Sequence, residues 1–323
     1  MPIAYDYTRI DTFRTGGFGF LLTTRYFCNL MRNAPIPLIL TIMLGTACQK
    51  GNSVDLRDKG AQLVVEGMIE DGKFPTVTLS RSLDYFSKID PEQLLASFVH
   101  GAKVTVSNGI TTHQLREYSS DTSNGTGTCF YTVDTANILS AFVGERGASY
   151  TLRIETEGKV ITSITTIPEG RFSLDSIGWK RVEGPDVSKV RLFVKVTDPP
   201  ERGNYIRYFT SRNKEDFMAG LNSVFDDKVV NGTTFEIPLD AGVDKNKQIE
   251  MGDHQFFKRG DTVSLKFCNV DHGTYDFWRT LDYAYNDTGH PFSPTNRVTS
   301  NVQGALGNWG GYCVTYKTIT IPK

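Results

Sequence analysis

From residue 61 onward apolar side chains recur at every second position. Val104 and Val106 share one side of Lys103–Ser107, and Tyr150, Leu152 and Ile154 repeat the pattern. So do Val190, Leu192, Val194 and Val196, and later Val263, Leu265 and Phe267. A period of two is that of a strand with one buried face. Dipeptides with turn chemistry separate the runs. Asp71-Gly72 divides Gln62–Ile69 from Phe74–Ser80, and Asn108-Gly109 divides Lys103–Ser107 from Ile110–Leu115. Both predict hairpins, the first closed by a two-residue turn that suits the strand twist. Glu157-Gly158 precedes a strand over Val160–Ile167, Asn231-Gly232 precedes one over Thr233–Leu239, and Tyr205–Ser211 is aromatic and β-prone.

The period changes twice. Asp90-Pro91-Glu92-Gln93 predicts a short helix to about Phe98, with Asp90 as cap and Pro91 as first helical residue. Tyr275, Trp278, Leu281 and Tyr285 fall at helical spacing, with Phe277 and Ala284 adjoining, and predict a helix over 274–286. A Gly-rich stretch, Gly304–Gly311, then leads into a final strand, Tyr312–Ile321. The expected fold is mainly β. An immunoglobulin-like β-sandwich occupies 61–168, and a boundary falls at Pro168–Arg171. A second β-sandwich or barrel-like domain with one short helix occupies 169–323.

The N-terminal part follows other rules. Met31 and Arg32 lead into Ala34–Ala47, an uncharged, mostly apolar run of 14 residues. A membrane-spanning helix needs about 20, and Pro35 and Pro37 weaken a helix further. The run ends in Gly45-Thr46-Ala47 directly before Cys48. Small residues before a cysteine are what a lipoprotein signal peptidase needs, so 31–47 is expected to be a lipoprotein signal peptide and Cys48 the lipidated residue. Leu44 sits one position further back than that pattern prefers, and an ordinary secretory signal beside a cysteine is the alternative. Residues 1–30 carry Asp6, Arg9, Asp11, Arg14 and Arg25 among aromatics. They are expected to be an N-terminal extension ahead of a true start at Met31, or else a long n-region. Gln49–Lys59 is polar and without period, so 48–60 is expected to be a flexible tether.

Composition narrows the function classes. Of 323 residues, 39% are hydrophobic and 22% charged, enough for a packed core. A net charge of -1 gives no overall field for nucleic acid or an anionic membrane surface. Once Cys48 is lipidated and the preceding segment removed, Cys129, Cys268 and Cys313 remain. They allow one disulfide at most, with Cys268–Cys313 the favoured pair, and three buried free thiols are an equal alternative.

Candidate chemistry is sparse. The chain has no nucleophile elbow, HExxH, P-loop or dinucleotide fingerprint. His100, His113, His254, His272 and His290 are scattered, none at ligand spacing, so neither a catalytic histidine nor a metal or other cofactor is expected. Asp253-His254 and Asp271-His272 would point to opposite faces of an extended segment. Asp226-Asp227, Asp240 with Asp244, and Asp121–Gly127 are expected to be solvated turn and loop residues before they are Ca²⁺ ligands. Two aromatic groups compete for a binding role. Tyr275, Trp278 and Tyr285 form either a stacking platform or, the favoured reading, the buried face of a helix. Phe292, Trp309 and Tyr312, set among five glycines in Gly289–Gly311, suit contact with a partner or ligand. A glycine-rich corner before the last strand is the balanced alternative.

Several motifs occur in an ordered series: Leu63–Gly67 (LVVEG), Leu79–Ser82 (LSRS), Tyr275–Thr280 (YDFWRT), Pro291–Pro294 (PFSP), Ser300–Gly307 (SNVQGALG) and Gly310-Gly311-Tyr312. In this order, over about 48–323, they resemble family 4249 of the domains of unknown function, from Bacteroidota. Gly289-His290 departs from the more Asn-like turn expected there. The resemblance implies an outer-membrane lipoprotein, commonly encoded beside a TonB-dependent receptor, and it carries no catalytic residues. The expected function is therefore a non-enzymatic binding or accessory subunit of a TonB-dependent nutrient importer. A cell-surface adhesin or structural envelope module is the alternative, and a hydrolase with an unrecognised site a distant third. No acidic run follows Cys48, so the face of the membrane stays open.

Overall fold

The computed structural model describes residues 53–55, 61–82, 91–120, 127–244, 255–286 and 297–323. Cys48, the signal segment, Phe292, His254, His290 and most of Asp121–Gly127 lie outside the described residues. The strands are β1 (Ser53–Asp55), β2 (Leu63–Glu70), β3 (Thr76–Arg81), β4 (Lys103–Ser107), β5 (Thr112–Ser120), β6 (Thr128–Val133), β7 (Ser149–Thr156) and β8 (Lys159–Thr166). There follow β9 (Ser173–Arg181), β10 (Lys189–Thr197), β11 (Tyr205–Arg212), β12 (Met218–Asp226), β13 (Thr234–Leu239), β14 (Phe257–Lys258) and β15 (Thr262–Val270). The last are β16 (Arg297–Thr299), β17 (Val302–Gln303) and β18 (Leu306–Thr320). Helix α1 is Pro91–Ser97, α2 is His272–Asn286, and a 3₁₀ turn spans Thr135–Ser140. The chain is mainly β, as the alternation predicts, and α2 begins two residues before the predicted start.

Twelve strands form one sheet in the order β12-β11-β15-β18-β2-β3-β6-β5-β4-β7-β8-β17. From β2 to β8 neighbours are antiparallel. The sheet curls, because the Thr166 carbonyl at the end of β8 lies against Gly311 of β18, although six strands separate the two in pairing order. Inside the curl the alternating residues pack together: Val65, Val77, Val104, Leu152 and Ile154 with Val302, Trp309 and Cys313. A second core lies between β10, which pairs with β9, β13 and β14, and the inner faces of β11 and β15. Val190, Leu192, Val194 and Val196 there meet Ile206, Tyr208, Val263, Leu265 and Phe267. On the outer face of β11 and β15, Cys268, Val270, Tyr275 and Tyr312 form a third, smaller cluster with α2.

Strand β18 serves all three cores. Its first half runs parallel to β2, from Leu306 opposite Val64 to Tyr312 opposite Glu70. From Tyr312 to Thr320 it runs antiparallel to β15. The Gly304–Gly311 stretch is therefore largely strand rather than a loop before one. Its glycines are there for space: a Cβ on Gly67 would sit 2.6 Å from the Trp309 ring, and one on Gly311 would sit 2.5 Å from the Thr166 oxygen.

Local expectations meet mixed outcomes. Glu157 and Gly158 form a two-residue turn, both at positive φ (51° and 71°), with Thr156 opposite Lys159. The Asn108-Gly109 connection has four residues, because Asn108 Oδ1 accepts the N–H groups of Ile110 and Thr111 at 3.0 and 2.8 Å. The Asp71-Gly72 connection is wider than two residues. The last β2–β3 pair is Met68 with Thr76, while Asp71 N–H donates to Tyr312 O (3.0 Å) and Gly72 N–H to Gly144 O (2.8 Å). The segment expected to be a tether contains β1, paired with β16. Cys268 and Cys313 are free, and so is Cys129. Cys313 stands opposite Asn269, one position past Cys268, so the two thiols project from opposite faces of the sheet.

Trp309→Ala is expected to lower unfolding free energy by about 3–5 kcal/mol, and Gly311→Ala by about 1–3 kcal/mol. Urea unfolding followed by circular dichroism tests both. Midpoints equal to wild type would remove the role given to β18.

Candidate functional site

The aromatic candidates are largely interior. Trp309 is fully buried and its indole N–H donates to Tyr150 O at 3.0 Å. Asn301 clasps its backbone at both polar atoms, at 2.9 and 2.8 Å. Tyr312 is buried as well, its hydroxyl accepting from Trp278 Nε1 (3.2 Å) and Arg207 Nη1 (3.4 Å). Burial raises the pKa of that hydroxyl. Neither ring can meet a partner, which corrects the contact role expected for them; Phe292 lies outside the described residues. Of the helical stripe, Tyr275 is buried, stacks on Tyr205 with centroids 4.8 Å apart, and donates to Asp226 at 2.9 Å. Trp278 is half-buried with the Arg207 guanidinium 3.3 Å from its ring centre, and Tyr285 is half-buried. The stripe faces the protein rather than offering a platform.

The acidic candidates are engaged in turns. Asp227 Oδ2 accepts the N–H groups of Gly203 and Asn204 at 2.7 and 2.9 Å. Asp271 caps α2 through Thr274 N–H at 2.9 Å, and its other oxygen accepts from the Thr165 hydroxyl at 2.7 Å. His272 turns instead to Asp276, 3.2 Å away. A cleft lined by residues including Thr210, Arg212, Asp216 and Phe257 has a volume of about 20 Å³, room for a water molecule.

One cluster went unread in the sequence. Beyond Val99 the chain turns through Gly101, at φ 69°, and lays His100 beside β5 and β6. In β5 the inward row continues from His113 and Leu115 to Glu117; in β6 it runs from Cys129 to Tyr131 and Val133. Glu117 is paired with Tyr131 across the strands, and Cys129 lies one inward position further along β6. Nδ1 of His100 is 2.6 Å from Glu117 Oε1, the Cys129 thiol donates to that same oxygen at 3.4 Å, and Sγ lies 3.6 Å from Nδ1. The other carboxylate oxygen accepts from Gly101 N–H at 2.7 Å and from the Tyr131 hydroxyl at 2.8 Å. Tyr131 in turn accepts Ala102 N–H at 3.1 Å.

The charges of this cluster are set by its hydrogen bonds. Burial opposes ionisation of Glu117. The donors Gly101 N–H, His100, Tyr131 and Cys129 outweigh it and lower the pKa to about 2. Burial, and then the hydrogen bond and charge of Glu117, push the Cys129 thiol up to about 11. A thiol held protonated is not an activated nucleophile. The arrangement is instead a nitrogen, an oxygen and a sulfur converging within 4.8 Å, with His100 exposed and Cys129 buried.

Apolar side chains stand in solvent at the other end of the first core. Leu115 is paired with Val133 and Ser107 with Thr112, so the β4–β5 connection and the 3₁₀ turn leave the sheet at the same end. There Ile110 is 95% exposed, Ile138 46% and Leu139 fully. No helix among the described residues is long and apolar enough to cross a membrane.

A family model described as Domain of unknown function (DUF4249) matches residues 52–318, the family the ordered motifs resemble. No curated protein matches the chain.

Because the folded-state pKa of Glu117 is depressed, its contribution is present above the unfolded value of roughly 4.3 and is lost as pH falls toward about 2. Allowing for its partial exposure, Glu117→Gln is expected to cost about 1–2 kcal/mol at pH 7 and almost nothing at pH 2. Urea unfolding across that range checks this, and a penalty independent of pH would contradict it.

Proposed function

We propose, starting from the fact that the chain belongs to the DUF4249 family, that it is an outer-membrane lipoprotein. It is anchored through Cys48 and serves as a non-enzymatic binding or accessory subunit of a TonB-dependent nutrient importer. The observation that carries the binding role is the loop end of the first core. Ile110, Ile138 and Leu139 stand in water on two neighbouring connections where a monomer gains nothing from them. Exposed apolar groups on connections that leave one end of a sheet together suit a protein contact, and covering a fully exposed side chain such as Ile110 or Leu139 returns about 1.5–3 kcal/mol.

The anchor reading rests on the 14-residue apolar run and the small residues before Cys48. Its geometry follows from chain dimensions. β1 begins five residues after Cys48, a reach of at most about 18 Å. An acyl chain at Cys48 therefore holds the folded unit close to the bilayer, where a membrane-embedded receptor is within reach.

Two measurements test this reading. Wild-type chain in native outer membranes is expected to take up labelled fatty acid, and Cys48→Ser to lose both the label and membrane association. Crosslinked wild type is expected to co-purify with a β-barrel receptor identified by mass spectrometry, and Ile110→Asp/Leu139→Asp to retain at least fivefold less. Recovery of the protein alone from crosslinked membranes would overturn the accessory role; an unlabelled wild type would overturn the anchor.

A further inference from the structure

We infer that His100 Nδ1, Glu117 Oε1 and Cys129 Sγ are three ligands of a tetrahedral site for a borderline-soft divalent cation of the Zn²⁺ type, with a fourth position open to solvent. Bond lengths of about 2.0 Å to N and O and 2.3 Å to S place tetrahedral ligand atoms roughly 3.3 Å (N···O) and 3.5 Å (S···O, S···N) apart. The observed S···O and S···N separations, 3.4 and 3.6 Å, already match. Only the 2.6 Å N···O pair must open, by about 0.7 Å on that tetrahedral geometry. His100, with 60% of its side chain exposed, is free to make that move.

The surroundings divide Glu117 between two tasks. Oε2 is held by Gly101 N–H and the Tyr131 hydroxyl, which fix the carboxylate plane. Among the described residues Oε1 is met by the two other ligand groups. Outer hydrogen bonds of this kind orient a metal-binding carboxylate. The donor set chooses the cation: Ca²⁺ and Mg²⁺ take oxygen ligands, whereas mixed sulfur and imidazole suit Zn²⁺ and its late first-row neighbours. A buried thiol on one side and an exposed imidazole on the other leave the fourth position toward water.

Binding balances as follows. The S–H bond of Cys129 breaks and its proton passes to solvent; the Nδ1–H bond of His100 breaks while solvent protonates the exposed Nε2, so the imidazole stays neutral; and the sulfur, the freed Nδ1 and the carboxylate oxygen each donate a pair to the cation. The site charge goes from -1, carried by Glu117, to zero. Because one proton leaves for each cation bound, binding tightens as pH rises.

The test uses the reduced full chain titrated with Co²⁺. One equivalent is expected to give thiolate-to-cobalt charge-transfer absorption, abolished by Zn²⁺. Cys129→Ser is expected to lose the band. His100→Ala, at an exposed position that the fold does not need, is expected to weaken binding at least tenfold. Tyr131→Phe, which frees the carboxylate, should weaken it about tenfold. Absence of the band in folded wild type overturns the site. So does a band that survives in Cys129→Ser, or unchanged affinity in His100→Ala.

Discussion

The structure depends on one strand whose two halves have different partners. β18 hydrogen-bonds in parallel to β2 through Tyr312 and antiparallel to β15 from Tyr312 onward. Its side chains then alternate between environments: Trp309 and Cys313 enter the first core, Tyr312 the cluster beneath α2, and Ile319 packs on the second core. A strand pressed between neighbours on both sides and a curled edge in front has no room for Cβ atoms at the points of closest approach. Gly67 and Gly311 meet that demand, and Trp309 fills the volume Gly67 leaves. Because one segment closes both cores, neither core is complete without it.

The same alternation that builds the first core also makes its polar end. Along β5 and β6 the inward row is apolar at Leu115 and Val133 and polar at Glu117 and Cys129. An inward carboxylate near a core is costly unless its oxygens are met. The turn at Gly101 and the Tyr131 hydroxyl meet one oxygen, and His100 and Cys129 meet the other. The cost of placing Glu117 inward is thus offset by groups that are themselves metal donors. At the opposite end of the same strands the connections expose Ile110 and Leu139. One scaffold therefore separates a polar, ligand-bearing end from an apolar, contact-forming one.

Strand identity was legible in the sequence where apolar residues alternate cleanly over one buried face, because the period of two is local. Val190–Val196 and Tyr150–Ile154 needed no knowledge of partners. Pairing was not legible. The glycines of Gly304–Gly311 have low strand propensity, and their role shows only when β2 and β8 lie against them. Trp309 and Tyr312 looked available because flexible loops carry aromatic contacts, whereas Trp309 is buried by strands distant in sequence, as in its bond to Tyr150, and Tyr312 by Arg207 of β11 and the cluster beneath α2. The Cys268–Cys313 pairing failed on register: a shift of one position reverses the face. The His100–Glu117–Cys129 cluster left a partial signal. Alternation through Thr112–Ser120 places Glu117 in the row of His113 and Leu115, and that through Thr128–Val133 places Cys129 with Tyr131. Joining the two rows to His100 requires the β5–β6 register and the turn at Gly101, neither of which a local pattern supplies.

How α2 is held shows why helical spacing alone misjudged its aromatics. A helix lying on a sheet by apolar area can rotate at small cost, since that attraction is non-directional. Here Arg207 projects from β11 away from the second core, its guanidinium 3.3 Å from the Trp278 ring centre and 4.6 Å from that of Phe209. A cation over an aromatic face is attracted within a narrow geometry. Tyr312 fixes the partners of that stack, accepting from both Arg207 and Trp278. At the first turn Asp271 ties the helix to Thr165 of β8. The helix is therefore set in rotation by Arg207 and in position by Asp271. Tyr275 and Trp278 are consumed in specifying that geometry, which leaves the surface of the molecule to be defined by its connections.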